Sequence, residues 1–170
     1  MIINGRYLLA AAPISEMEAS KISHHGVTYG MSEAGYDVRI DQSIRFFTDN
    51  EGKRRVEVAH HGVQDYDIST GRFVLASTME YFDMPANLVG IVHDKSTWAR
   101  RGLSVFNTVI EPGWKGYLTL ELVYHGEENL LIPAGSGIAQ VVFHTCQASM
   151  HYTGRYQHQP RGPVAAKKAP

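Results

Sequence analysis

Residues 117–123, YLTLELV, alternate without a break. Tyr117, Thr119 and Glu121 fall to one side and Leu118, Leu120 and Leu122 to the other. A period of two belongs to a strand with one face in a core; a helix would scatter the leucines around its circumference. The face opposite the leucines carries a glutamate, so the strand both builds a core and presents a carboxylate. A carboxylate beside so much apolar surface suits proton transfer. The same pattern also fits a glutamate simply exposed on a polar face.

Similar short stretches recur at 36–40, 43–47, 54–59, 72–77, 88–92, 103–109, 130–132 and 138–143. Turn formers separate them: Asp49-Asn50-Glu51-Gly52, Gly71, Pro85-Ala86-Asn87, Pro112-Gly113, Gly126 and Pro133-Ala134-Gly135. Many short strands with regular turns predict an all-β fold: a sandwich, a barrel or a distorted jelly roll. Two short helices are expected. One covers residues 14–21, with Ser15 as N-cap and Glu18 at the capping-box position. The other covers residues 94–101, DKSTWARR, with Asp94 as cap and Ser96 and Arg100 on one face at i, i+4. A length of 170 residues suits a single domain, expected over 1–160, with a flexible tail at 161–170.

The formal net charge of −1 provides no basic field for a nucleic-acid polymer, so phosphate chemistry has to rest on local cations. No apolar run reaches membrane-spanning length, and the first twenty residues lack the layout of a signal peptide. The single cysteine, Cys146, excludes an internal disulfide and fits a reducing compartment. A cytoplasmic setting is expected, in a bacterial cell or a phage-infected host. The nine histidines form no HExxH, and one cysteine cannot supply the ligands of a zinc deaminase. Walker, GxSxG and Rossmann signatures are absent.

Three segments carry candidate chemistry. In DKSTWARRGL, Lys95, Ser96 and Arg100 place two cations and a hydroxyl near a helix start, a combination suited to phosphate oxygens. On composition alone a solvated basic helix is the better reading. In EPGWKGYLTLEL, Glu111 precedes a Pro-Gly turn and Glu121 lies within the alternating strand. In GRYQHQPRGP, Arg155, Tyr156, Gln157 and Gln159 mix a cation, a ring and amides that suit closure over a nucleotide; by composition an ordinary disordered tail is the better reading.

These blocks, in this order, resemble the dCTP deaminase family of the dUTPase-like superfamily. The resemblance runs through GVTYG at 26–30, GYDVR at 35–39 and FVLASTMEYF at 73–82. It is most specific in KSTWAR at 95–100 and in EPGWKG and LTLE between 111 and 121, and it closes with GIAQ at 137–140, GRYQ at 154–157 and Gln159. It implies a distorted β-barrel or jelly roll of the dUTPase-like type, assembled as a homotrimer with sites between subunits. It implies zinc-independent hydrolysis of a deoxycytidine nucleotide, dCTP giving dUTP and ammonia, with Mg²⁺ on the phosphates.

By the same resemblance Glu121 is the catalytic carboxylate, Ser96 helps hold the attacking water and Arg100 supports water and phosphate. Lys95 takes the phosphate-binding position, with Thr97 beside it in the same block. Glu111 addresses sugar and base, Thr119 and Leu120 read the base through their backbone, and Gln140, Arg155 and Gln159 touch the nucleotide. Arg155 stands where the family usually has lysine, and the segment before it is short. Phe106 and Asn107 fall near the expected base pocket. A dUTP diphosphatase, a bifunctional enzyme, or a deaminase of dCMP or of a 5-modified dCTP are the competing readings.

Overall fold

The computed structural model describes residues 1–60, 65–106 and 108–168. The chain begins with β1 (Ile2–Ile3), α1 (Gly5–Ala11), β2 (Lys21–His24), β3 (Val27–Met31), β4 (Tyr36–Arg39) and β5 (Ser43–Thr48). It continues through β6 (Arg54–Ala59), β7 (Tyr66–Thr70), β8 (Phe73–Asp83), β9 (Leu88–Asp94) and α2 (Ser96–Ala99). β10 (Leu103–Val105), β11 (Val109–Ile110), β12 (Lys115–Tyr124), β13 (Leu130–Ile132) and β14 (Gly137–Thr145) complete it.

Three sheets enclose one core. The largest runs β11-β9-β14-β4-β3-β2, with β1 also on β14; the others run β10-β12-β8 and β13-β5-β6-β7. Every pairing between these strands is antiparallel. The all-β expectation is borne out. Tyr36, Phe46, Phe82 and Phe143 are the largest wholly buried side chains, joined by the leucines of β12.

β12 follows the alternation closely. Gly116, Leu118, Leu120, Leu122 and Tyr124 are buried; Tyr117, Thr119, Glu121 and Val123 are half-buried on the other face. Its pairing with β8 contains a bulge, because Tyr117 faces Tyr81 but Thr119 faces Ser77. Thr78 sits in the extra length and its hydroxyl accepts the Leu118 N–H at 3.0 Å, satisfying a donor that the bulge takes off the ladder. Glu80, in the same bulge, turns inward and pairs with Arg39 at 2.8 Å.

The structure corrects three local expectations. Residues 14–21 are not helical: Ile14, 1% exposed, forms a bridge with Phe82, and the Ser15 N–H donates to the Tyr81 carbonyl. Burial of Ile14 along the β8 edge outweighs the capping signal, and the helix forms earlier, around Leu8. The second helix starts one residue later than expected. Lys95 is its N-cap, while Asp94 ends β9 and accepts the Val105 N–H at 2.7 Å. The stretch 103–109 is not one strand: β10 pairs with β12, then the chain crosses to another sheet, where β11 pairs with β9. Strands β1, β2, β3 and β7 have no counterpart among the expected strands.

Candidate active site

The sheet crossover after β10 opens a cavity of about 720 Å³. Glu111, Thr119, Glu121 and Gln159 all line it, so four of the expected site residues converge from two segments of the chain. Glu121 projects from the half-buried face of β12 between two neighbouring strands. Leu75 of β8 is its register partner on one side. On the other, the Phe106 N–H donates to the Glu121 carbonyl at 2.9 Å. Among the described residues the Glu121 carboxylate has no hydrogen-bond or ion-pair partner. A carboxylate left unpaired in a largely apolar cavity is available to a ligand or a water.

The segment after β14 forms the other wall. Gln159, 9% exposed, makes a parallel bridge with Gly116, and its carbonyl accepts the Tyr117 N–H. Gln157 reaches back twice: its Oε1 accepts the Lys115 N–H at 2.7 Å and its Nε2 donates to the Gly113 carbonyl at 2.8 Å. The Trp114 indole N–H donates to the Tyr156 carbonyl at 2.7 Å. This close approach explains Gly116, which has φ +143: a Cβ there would stand 2.6 Å from the Gln159 nitrogen.

Beyond Gln159 the chain crosses the cavity as a strap. Val164 and Ala166 line the cavity, and the Val164 N–H donates to the Thr119 hydroxyl at 3.0 Å. The Thr119 hydroxyl in turn donates to Gln159 Oε1 at 3.2 Å. Arg161 anchors the strap on Asp41, with Nη2 at 2.6 Å and Nε at 3.2 Å from Oδ1. That hydrogen bond and charge hold the guanidinium pKa above its usual value. Arg155 lies outside, exposed, donating to the Lys167 carbonyl at 3.0 Å. Leu120 is buried in the core, so only its backbone is placed to read a ligand.

The remaining expected residues gather elsewhere. Ser96, Thr97 and Arg100 are exposed on α2 and line no part of the cavity. Lys95 turns inward to a buried ion pair with Asp37, and its ammonium also donates to Thr28 Oγ1 at 3.1 Å. Gln140, the register partner of Asp37, donates to Ser32 Oγ at 2.9 Å. Asp37 belongs to this polar cluster and was missed by sequence reasoning; only its place within GYDVR signalled it. One of its oxygens, Oδ1, is buried without a hydrogen-bond partner among the described residues. The structure thus places Glu111, Thr119, Glu121 and Gln159 at the cavity and the expected cations away from it. Among the described residues the cavity lining contains two carboxylates and neither Lys nor Arg.

The all-β architecture is shared with solved dUTPases and with a solved deaminase. Native EIAV dUTPase superposes with a TM-score of 0.50 at 17% identity, covering 85% of this chain and 92% of that one. The 2'-deoxycytidine 5'-triphosphate deaminase of Agrobacterium tumefaciens superposes with a TM-score of 0.54 at 14% identity, covering 87% of this chain and 50% of that one. These likenesses establish the fold.

Sequence goes further. Residues 10–146 match the dCTP deaminase-like family. The dCTP deaminase of a Nitratiruptor species is 36% identical over 146 residues, and that of Campylobacter concisus 37% over 146 residues, each match covering 78% of both chains. The chain belongs to the dCTP deaminase-like family, a family of hydrolases. No helix among the described residues is long and apolar enough to cross a membrane.

Proposed function

We propose that the protein deaminates a deoxycytidine nucleotide, with dCTP and water giving dUTP and ammonia. The observation that carries this reading is the Glu121 carboxylate, unpaired within the cavity and flanked by Leu75 and Phe106. The C4 carbon of cytosine is weakly electrophilic, so hydrolysis needs a water stripped of a proton beside it. Glu121 accepts that proton, hydroxide adds to C4, and the tetrahedral carbon expels ammonia after Glu121 returns the proton. One positioned carboxylate of this kind contributes ~10²–10⁴-fold. Thr119 and Gln159, joined by their own hydrogen bond, offer the polar edge against which the ring is oriented.

Among the described residues no cation lines the cavity, while Ser96 of α2 and its C-cap Arg100 stand exposed. Both facts fit a homotrimer in which a neighbouring copy brings its α2 to each cavity. There Ser96 would fix the water and Arg100, with Thr97 beside it, would meet phosphate; Arg155 lies near the strap for the same charge. Lys95 reaches phosphate only by exchanging its bond to Asp37. Mg²⁺ fits as a companion of the phosphates. Among the described residues no three His, Cys, Asp or Glu side chains are grouped to hold a metal ion, so the phosphates themselves would carry it. Its chemistry is neutralisation of phosphate charge, away from C4.

Glu111 supports a second reading. It lines the same cavity, and its side chain has no partner among the described residues. An acid there could direct water at a phosphate, making the enzyme a dUTP diphosphatase or a bifunctional one. One experiment separates the readings. Purified protein is incubated with dCTP, dCMP and dUTP while ammonia and pyrophosphate are followed separately. Deamination predicts ammonia from a cytosine nucleotide, lost in Glu121→Gln although nucleotide still binds. Absence of ammonia from every cytosine nucleotide would sink the deaminase reading; pyrophosphate from dUTP would establish the second.

A further inference from the structure

The wall around Glu121 is asymmetric. Along β12 toward Tyr117 the next side chain on the same face is Thr119, bonded to Gln159. Across the strands the neighbours are apolar: Leu75 is the register partner of Glu121, Phe73 lies one same-face position further along β8, and Phe106 follows β10 on the opposite side. All three line the cavity. Phe73 and Phe106 are 50% and 53% exposed, so two rings beside the carboxylate remain half uncovered.

A cytosine ring has two edges flanking C4. One, N3 and O2, accepts hydrogen bonds; the other, C5 and C6, carries only C–H bonds. With C4 facing Glu121, the accepting edge matches the Gln159 amide, whose Nε2 is the donor left once its Oε1 has accepted the Thr119 hydroxyl, since buried polar atoms need partners. The C5–C6 edge is then left against Leu75, Phe73 and Phe106. Hydrogen at C5 covers little of that surface, whereas a methyl group covers more.

We infer that the site takes deoxycytidine nucleotides alkylated at C5, with Phe106 as the residue that sets the preference. The inference rests on Glu121 being the group that faces C4. The reaction balances as for the parent substrate: 5-methyl-dCTP and water give dTTP and ammonia, with one C–N bond exchanged for C–O and no redox change. One buried methyl group corresponds to about a fourfold gain in affinity, ~0.8 kcal/mol.

The test uses calorimetry on Glu121→Gln, in which nucleotide is held without turnover, and on the double variant Glu121→Gln with Phe106→Ala. The expected result is about fourfold tighter binding of 5-methyl-dCTP than of dCTP, a preference that falls to within twofold without the Phe106 ring. A merely structural role of Phe106 would weaken both nucleotides alike and leave their ratio unchanged. Equal or weaker binding of 5-methyl-dCTP in the Phe106-containing protein overturns the inference. So does a preference that survives Phe106→Ala, which would place the methyl against another surface, such as a neighbouring copy. Turnover of dCTP by Glu121→Gln defeats the assignment of Glu121 instead, a separate outcome from the affinity ratio, and binding of neither nucleotide overturns both.

Discussion

Replacing Arg161 by methionine tests whether its contact with Asp41 keeps the strap closed. The substitution removes two donors from Asp41 Oδ1, at 2.6 and 3.2 Å, and leaves the carboxylate only the weaker 3.3 Å bond from Gln42 to its other oxygen. Asp41 is nearly inaccessible, with its side chain 8% exposed, but the Arg161 side chain is 51% exposed. A hydrogen bond to a charged group contributes about 1.5–3 kcal/mol when well buried. Solvent screening on the arginine side brings this pair to about 1–1.5 kcal/mol. The closed-to-open ratio of the strap should therefore fall about five- to twelvefold. Backbone amide exchange reads this directly. The Val164 N–H, held by Thr119 beyond the latch, should lose protection by that factor. The Tyr117 N–H, held by the Gln159 carbonyl before the latch, should change little. Raising the salt concentration should move the native protein partway toward the variant. An unchanged exchange rate at Val164 refutes the latch.

Two further outcomes follow from the packing. Gly116→Ala should detach the strap's base, because its Cβ meets the Gln159 backbone at 2.6 and 2.9 Å while φ is +143; strain of about 1–3 kcal/mol is expected. Faster tryptic cleavage after Arg155 with an unchanged far-UV spectrum would show it, and native-like cleavage would contradict it. Tyr36 is wholly buried, its hydroxyl accepts the Glu18 N–H at 3.1 Å, and burial pushes its pKa up to about 12. A folded pKa above the unfolded value near 10 means that its contribution is fully present below pH 10 and is lost as pH rises through about 12. Urea titrations at pH 8 and pH 11 should show a smaller loss of stability in Tyr36→Phe than in the native protein; equal losses would exclude Tyr36 as the cause.

How much of this was legible in the sequence depends on the range of the interaction involved. β12 was legible because alternation is written in adjacent residues and its leucines meet one core. So were β6 and β13, whose observed bounds match the expected ones. The expected helix at 14–21 failed because capping is a local preference, whereas Ile14 is fixed by a partner far along the chain, Phe82. The split of 103–109 was hidden for a similar reason. Its residues suit a strand throughout, and only the choice of partner, β12 and then β9, breaks it. The Lys95–Asp37 pair joins residues 58 positions apart, and no spacing rule announces it. Gln159 was legible as an amide in a segment suited to closure but not in its placement, which depends on the glycine backbone at 116.

The same long-range logic bears on the proposal that a nucleotide site is shared between copies of the chain. The cavity around Glu121 carries two carboxylates and no cation in its lining, so a polyphosphate entering it alone would meet charge of its own sign. On α2, Arg100 and the hydroxyls of Ser96 and Thr97 face solvent without a partner among the described residues. The first half repels the phosphates and the second has no pocket for the base, and their charges are complementary. Joining them between copies would supply the cations to the phosphate end while leaving the carboxylate and apolar wall to the base. A charge-reversed Arg100→Glu chain should then be inactive alone. Mixed with an equally inactive Glu121→Gln chain, it should recover activity, because some cavities would pair an intact Glu121 with an intact neighbouring α2. Statistical mixing allows this only if the two residues act from different chains. Absence of recovery in trimers shown to contain both chains would place the whole site within one copy.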